Sequence, residues 1–256
     1  MVNVKPPSRT QFLHSPRSHS HREGVSANRS NHSQRPRNHV LQALPTNDWE
    51  RLAPQMRHAL LISGQTLHRA GQPTERVYFP NAGLVSLVAE SEGASIEVAA
   101  VGRNGMIGAL SDLSSKSAFA TAVVGIPGNA LWLPAGVAYE EFQRGGALRD
   151  VMLRHTAALL AETTRSALCN RLHSVEERLS RWLLSVGDYT DCETIDVTHE
   201  NIARLLGTRR SGVTVALGSF AESGLIDTSR GHVTIRAKSQ LEDRACGCYR
   251  KALATG

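Results

Sequence analysis

Apolar residues recur at helical spacing twice between Thr198 and Ile235, first at Ile202, Leu205 and Leu206, then at Val213, Ala216, Leu217 and Phe220. Each set follows the three-and-four rhythm of a helix with one buried stripe. Thr198 stands where a side-chain oxygen caps the first helix, and Gly207 where a left-handed residue ends it. The second helix opens near Thr208. Beyond it the rhythm shortens to two: Gly224-Leu225-Ile226 and Arg230-Gly231-His232-Val233-Thr234-Ile235 alternate around a glycine turn and predict a two-stranded hairpin. Two short helices across a tight turn, followed by a hairpin, form the pattern of a winged helix-turn-helix, whose partner is double-stranded DNA.

The face of the second helix opposite its apolar stripe carries Ser211, Thr214, Val215 and Gly218, with Arg209 and Arg210 at its start. Small residues let a helix enter a major groove, arginine pairs with guanine through two hydrogen bonds, and a valine or threonine methyl touches thymine. Two arginines at a helix N-terminus oppose the helix dipole, so local stability does not account for them and an anionic partner does. Arg230 and His232 in the hairpin are placed to meet phosphate. The candidate DNA-binding set is therefore Thr208, Arg209, Arg210, Ser211, Thr214, Val215, Arg230 and His232.

Upstream, short β-rich runs lie between Gly, Pro and Asn signals at residues 76–79, 83–88, 95–99, 120–124 and 130–133, predicting an antiparallel sandwich or barrel. A helical stretch then runs from about Gly146 to Val186, with a polar break around Asn170 to Ser174. It either packs along the sheet as a single helix or pairs with a second copy; DNA half-sites read in pairs favour the second. The chain thus divides into a basic tail (1–40), a β-roll (41–146), a long helix with its hinge (147–186) and the winged domain (187–256), an α+β architecture.

Charge alters this picture only at the start. The net charge is +6, but residues 1–40 hold seven basic side chains and one acidic, while residues 41–256 hold 22 of each. Grip on phosphate must come from local placement of Arg204, Arg209, Arg210 and Arg230, or from a nonspecific, salt-sensitive contribution of the tail. The tail is rich in Ser, Arg, His, Asn and Pro and is expected to be disordered. Its histidines, at 14, 19, 21, 32 and 39, have no fixed pairing geometry. No apolar run follows the basic start as in an export signal, and none reaches membrane-spanning length, so a cytoplasmic protein without membrane contact is expected.

The order of β-roll, long helix and the run IARLLGTRRSGVTVAL…SGLI resembles the Crp/Fnr family of bacterial transcription regulators over about residues 41 to 250. VYFPNAGLVSLVAE with IEVAAVGRNGMIGAL looks like a branch of that family, and CNRLHSVEERLSRWLL looks like its hinge. The resemblance implies a β-roll that takes a small-molecule effector, a homodimer built on the long helix, a palindromic operator read by the second short helix, and contact with RNA polymerase in an activator. By the same resemblance, Gly108, Lys116, Ser117, Thr163 and Thr164 are the candidate effector contacts.

Three departures change what the resemblance implies. Cyclic-nucleotide binders of the family follow the glycine with a glutamate for the ribose, and here Ala109 follows Gly108; their phosphate arginine is matched by Lys116. Weak or absent cyclic AMP binding is expected. The iron-sulfur branch needs cysteines near the start, and the first cysteine is Cys169. In the reading helix Arg209-Arg210-Ser211 replaces the usual opening and Val215 stands where arginine is common, implying a different operator.

The four cysteines, at 169, 192, 246 and 248, are read as reduced thiols. Cys246-Gly247-Cys248 lacks the two further ligands a zinc site wants, so no metal and no cofactor is assigned; the pair is instead a candidate for oxidation. His58 and His68 in the β-roll form no ligand motif, and no G-x-S-x-G or phosphate-binding loop occurs, so an enzyme is not expected. Two alternatives to a DNA reader are a ligand-binding adaptor whose C-terminal module contacts protein and a β-barrel metalloenzyme.

Overall fold

Asn38 is fully buried, although composition places it in the free tail. Its side-chain amide donates to the carbonyls of Pro80 (2.9 Å) and Gly105 (2.8 Å), and its Oδ1 accepts from the Leu41 amide, capping α1 (His39–Gln42). The boundary read at residue 40 therefore falls inside a helix. A polar side chain satisfied by distant backbone leaves no periodic trace in the sequence. The computed structural model describes residues 36–92, 94–109, 117–190 and 192–253; most of the basic tail, and Lys116, lie outside the described residues.

After α2 (Thr46–Leu52), strands β1 (Arg57–Leu61), β2 (Thr66–His68), β3 (Arg76–Ser91), β4 (Ala94–Val101) and β5 (Thr121–Pro134) build an antiparallel sheet of order β1-β5-β3-β4, with β2 also on β5. The four short runs at 76–79, 83–88, 120–124 and 130–133 are thus two long strands. Between them the register shifts from Pro80 to Val85, where the strands bend together. Gly83 has φ +86, and a Cβ on Gly128 would lie 2.2 Å from the Ala82 carbonyl oxygen, so the turn signals mark a close approach and not an end. Leu61, Tyr78, Val85, Leu87, Val101 and Ile107 fill the roll, and Leu159 closes it from a helix.

That helix is α4 (Ala147–Leu172), reached through α3 (Ala135–Arg144) and the glycine pair 145–146. It ends within the polar break around Asn170 to Ser174. His173 is extended, and Ser174 starts α5 (Val175–Thr190) with a reciprocal cap: the Glu177 amide donates to the Ser174 hydroxyl, and the Ser174 amide donates to the Glu177 carboxylate at 2.8 Å. Leu179, Trp182, Leu183, Leu184 and Val186 of α5 share one core with the residues that follow, so the boundary read at 186 cuts through a helix that packs with the C-terminal domain.

The rest comprises β6 (Thr194–Asp196), α6 (His199–Leu206), α7 (Arg210–Glu222), β7 (Ile226–Ser229), β8 (His232–Ile235), α8 (Lys238–Arg244) and α9 (Cys248–Leu253). The hairpin is three-stranded, of order β6-β8-β7. Three residues of β6 are too few to show a period. Leu84 and Val88 of β3 belong to the same core as α5, α6 and α7, which joins the sensor sheet to the C-terminal domain.

Candidate nucleic-acid interface

The turn between α6 and α7 is built by local chemistry. The Thr198 hydroxyl accepts from the Asn201 amide at 3.2 Å, and Gly207 is left-handed (φ 59, ψ 43). The Gly207 and Thr208 amides return to the carbonyls of Arg204 and Ala203, at 3.2 and 2.9 Å, and the Arg178 guanidinium of α5 donates to the Leu206 carbonyl. The otherwise unpaired end of α6 is thereby closed. Val213, Ala216, Leu217 and Phe220 of α7 are buried, which turns the opposite face outward.

On that outward face Arg209, Arg210, Ser211, Thr214 and Val215 are all exposed, Val215 to 69%. Arg209 is the N-cap residue of α7 yet supplies no side-chain cap. Among the described residues, no ion pair engages Arg209, Arg210 or Arg230. Thr208 sits half-buried in the turn. The Thr214 hydroxyl donates to the Arg210 carbonyl and lies 3.1 Å from Nδ1 of His199, a neighbour on α6 that spacing alone did not single out.

The wing presents Arg230 at its tip, before Gly231 with φ +82. His232 is exposed on the wing, and its Nδ1 lies 2.6 Å from Oδ1 of Asp196, its cross-strand partner. Arg204 is exposed and lines a cleft with Asn201, Ser86, Glu90 and Ser95, between α6 and the sensor sheet. Helical periodicity marks which α6 residues are buried, and is blind to which exposed ones meet another domain.

The effector candidates divide. Gly108 (φ +94) borders a half-open cavity lined by His68, Leu87, Met106, Phe119, His155 and Leu159. A Cβ on it would meet the Arg76 carbonyl oxygen at 2.4 Å, so only glycine fits. Ser117 is half-buried near the start of the returning chain. Thr163 and Thr164 both donate to the Leu160 carbonyl and do not wall that cavity. His155 does: its Nε2 lies 2.8 Å from the Met106 carbonyl oxygen, and burial lowers its pKa.

Between roll and reading domain the contact is direct. A Cβ on Gly207 would lie 2.8 Å from Cδ1 of Ile96 on β4. The next residue, Glu97, accepts from the Trp182 indole at 3.1 Å, while Arg181 and Arg165 meet Glu162 of α4 at 3.3 and 2.7 Å. Cys169 and His173 at the end of α4 come together with Cys246 and Cys248, which sequence reasoning treated as an isolated pair. Their i, i+4 spacing on one helix end is a signal present in the chain, but it becomes specific only beside the second pair.

Comparison with known proteins agrees with this geometry. The pattern of the Crp-like helix-turn-helix domain matches residues 177–244. The global nitrogen regulator of Synechococcus elongatus is 31% identical over 183 residues, covering 67% of this chain and 82% of that protein. The global nitrogen regulator of a Nostoc species is 29% identical over 181 residues, covering 67% and 81%. Among solved structures, FixK2 from Bradyrhizobium japonicum shares the fold with a TM-score of 0.65 at 16% identity, covering 75% of this chain and 98% of its own. A Crp/Fnr regulator from Eubacterium rectale does so with a TM-score of 0.62 at 19% identity, covering 82% and 97%. With the roll, the long helix and the winged domain in the same order as in these relatives, the chain belongs to the Crp/Fnr family and is a DNA-binding transcription regulator, not an enzyme.

Proposed function

We propose that two copies pair along α4 and that each sets α7 into one of two successive major grooves of a palindromic operator. The observation that carries this reading is the outward face of α7, where two arginines without acidic partners flank Ser211, Thr214 and the exposed Val215. Arg209 and Arg210 supply guanine contacts, the Val215 and Thr214 methyl groups thymine contacts, and Thr208 and Arg230 phosphate contacts. His232, oriented by Asp196, supports the wing strand. Its ring meets phosphate only through the edge left free by that bond.

Support for the pairing comes from α4. Leu153, Ala157, Leu160, Thr164, Leu168 and Leu172 are exposed at spacings of four and three, and the four leucines are 46%, 68%, 49% and 63% accessible in the single chain. Such a stripe suits coiled-coil pairing, and nothing among the described residues covers it. Two-fold pairing sets the reading helices about 34 Å apart, one turn of DNA. Contact with RNA polymerase follows from family membership. The operator places the protein in the cytoplasm; among the described residues no helix is long and apolar enough to cross a membrane.

A ligand in the roll acts here by population shift, since β4 holds the turn of the reading domain through Ile96 and the hinge helix through Glu97. Selection of bound duplexes from a random library, with purified ligand-free protein, tests the reading. Enrichment of a palindrome with half-sites about ten base pairs apart supports it. Retention of random sequence that disappears with added salt, by the full chain and by residues 36–256 alike, defeats it.

A further inference from the structure

We propose that Cys169, His173, Cys246 and Cys248 bind one zinc ion, which fastens the end of the dimer helix to the C-terminal segment of the DNA-reading domain. One ligand atom from each of the four residues lies within 4.8 Å of every other. Cys169 lies in the last turn of α4 and His173 is its C-cap, four residues on, so both side chains reach the same side. Cys246 and Cys248 flank Gly247 where α8 gives way to α9, in a turn closed by the Tyr249 amide on the Cys246 carbonyl at 3.0 Å. Two ligands from a helix end and two from a tight turn, 77 residues away, are the two halves of a tetrahedral cage.

The spacing fits zinc. Sγ of Cys169 and Sγ of Cys246 are 3.5 Å apart, and Sγ of Cys248 lies 3.8 Å from Nδ1 of His173. A tetrahedron with metal–sulfur bonds of about 2.3 Å and metal–nitrogen bonds of about 2.0 Å has sulfur–sulfur edges of about 3.8 Å and sulfur–nitrogen edges of about 3.5 Å, so each separation lies within about 0.3 Å of its ideal. Disulfide sulfurs sit at about 2.05 Å, and all four cysteines of the chain are free. Three sulfurs and one imidazole suit zinc, whereas magnesium and calcium take oxygen. With four protein ligands no position stays open for substrate, so the role is structural.

Burial and charge agree. Cys169, Cys246 and Cys248 are 0%, 3% and 6% exposed and form a cluster of their own, apart from the three apolar cores. Zinc displaces the three thiol protons, and the resulting centre carries a net charge of −1. Two buried cations stand beside it: Arg178 and Arg181 are each 8% exposed, both feel the charge of Cys169, and among the described residues the Nε atoms of both have no hydrogen-bond partner. Arg178 also closes the end of α6, so the centre is one residue removed from the helix-turn-helix. Exposed Cys192 lies outside the cluster.

The full chain, purified under reducing conditions from zinc-supplemented cells, is titrated with cobalt(II) and assayed for metal by mass spectrometry. Expected are about one zinc per chain and a tetrahedral cobalt spectrum with thiolate charge-transfer bands. Those bands persist in Cys192→Ser and vanish in Cys246→Ser/Cys248→Ser. Any cobalt held by histidines of the N-terminal tail would give no thiolate bands, so it would not imitate the result. Because the double variant risks unfolding, His173→Asn provides a second reading, in which the thiolate bands remain and the visible bands shift. Absence of thiolate bands from reduced wild-type protein, their survival in the double variant, or a Cys169–Cys246 disulfide in anaerobically purified chain would each overturn the proposal.

Discussion

The indole Nε1 of Trp182 donates to Oε1 of Glu97 across 3.1 Å, so the hinge helix and the sensor strand share a hydrogen bond at the junction of the two domains. The other oxygen, Oε2, is buried. Burial pushes the Glu97 pKa up to about 7, against the downward pull of the Ser86 hydroxyl, the Arg181 charge and the Trp182 bond, and with help from Glu162. Because the folded-state value exceeds the ordinary 4.5, the folded chain holds the proton more tightly. The stability contributed by protonation is complete below about pH 4.5 and is lost as pH rises to about 7. Glu97→Gln should flatten thermal stability across that window and gain about 2–3 kcal/mol at about pH 8, measured by denaturant unfolding. A variant retaining the wild-type slope would place the titrating group elsewhere.

Gly207→Ala should cost about 1–2 kcal/mol, because a left-handed φ penalises any Cβ and this one meets Ile96. Adding Ile96→Ala should recover only the part due to contact. Full recovery in the double variant would show that the backbone carries no strain.

Arg210→Ala should weaken binding to the selected operator by about 1–3 kcal/mol and relax preference at one base position, while Arg230→Ala weakens all sequences alike and lowers the salt slope by about one. Fluorescence anisotropy against operator and scrambled duplexes at several salt concentrations separates the two. Sequence-selective loss in Arg230→Ala would move the wing into a base-reading role.

Leu160→Glu places a charge in the middle of the exposed α4 seam. Sedimentation should show monomers at concentrations where the wild type is dimeric, with unchanged far-ultraviolet circular dichroism and at least tenfold weaker operator binding. A dimer that survives the substitution would put the interface on another face.

Cyclic AMP should not bind at micromolar concentration. Ala109 is buried at the position where cyclic-nucleotide binders of the family carry the ribose glutamate. Loss of one charged hydrogen bond to a buried hydroxyl alone costs about 1–3 kcal/mol. Heat released in a calorimetric titration with saturation at micromolar ligand would refute this.

The helix-turn-helix is legible in the chain because its determinants are local. Thr198 caps from three residues away, Gly207 sets its own dihedral angles, and the stripe of Val213, Ala216, Leu217 and Phe220 repeats within three turns. Family membership and the α+β order of parts are legible for the same reason. Tertiary structure alone decided the relationships between distant residues. Asp196 claims His232 from 36 positions away, Arg204 turns to the sensor sheet, and Asn38 reaches Gly105. It also carries Cys246 to Cys169, where two weak sequence signals become one set of four ligands. Periodicity reports which face of an element is buried; which partner buries it depends on how the whole chain packs, and no local pattern contains that.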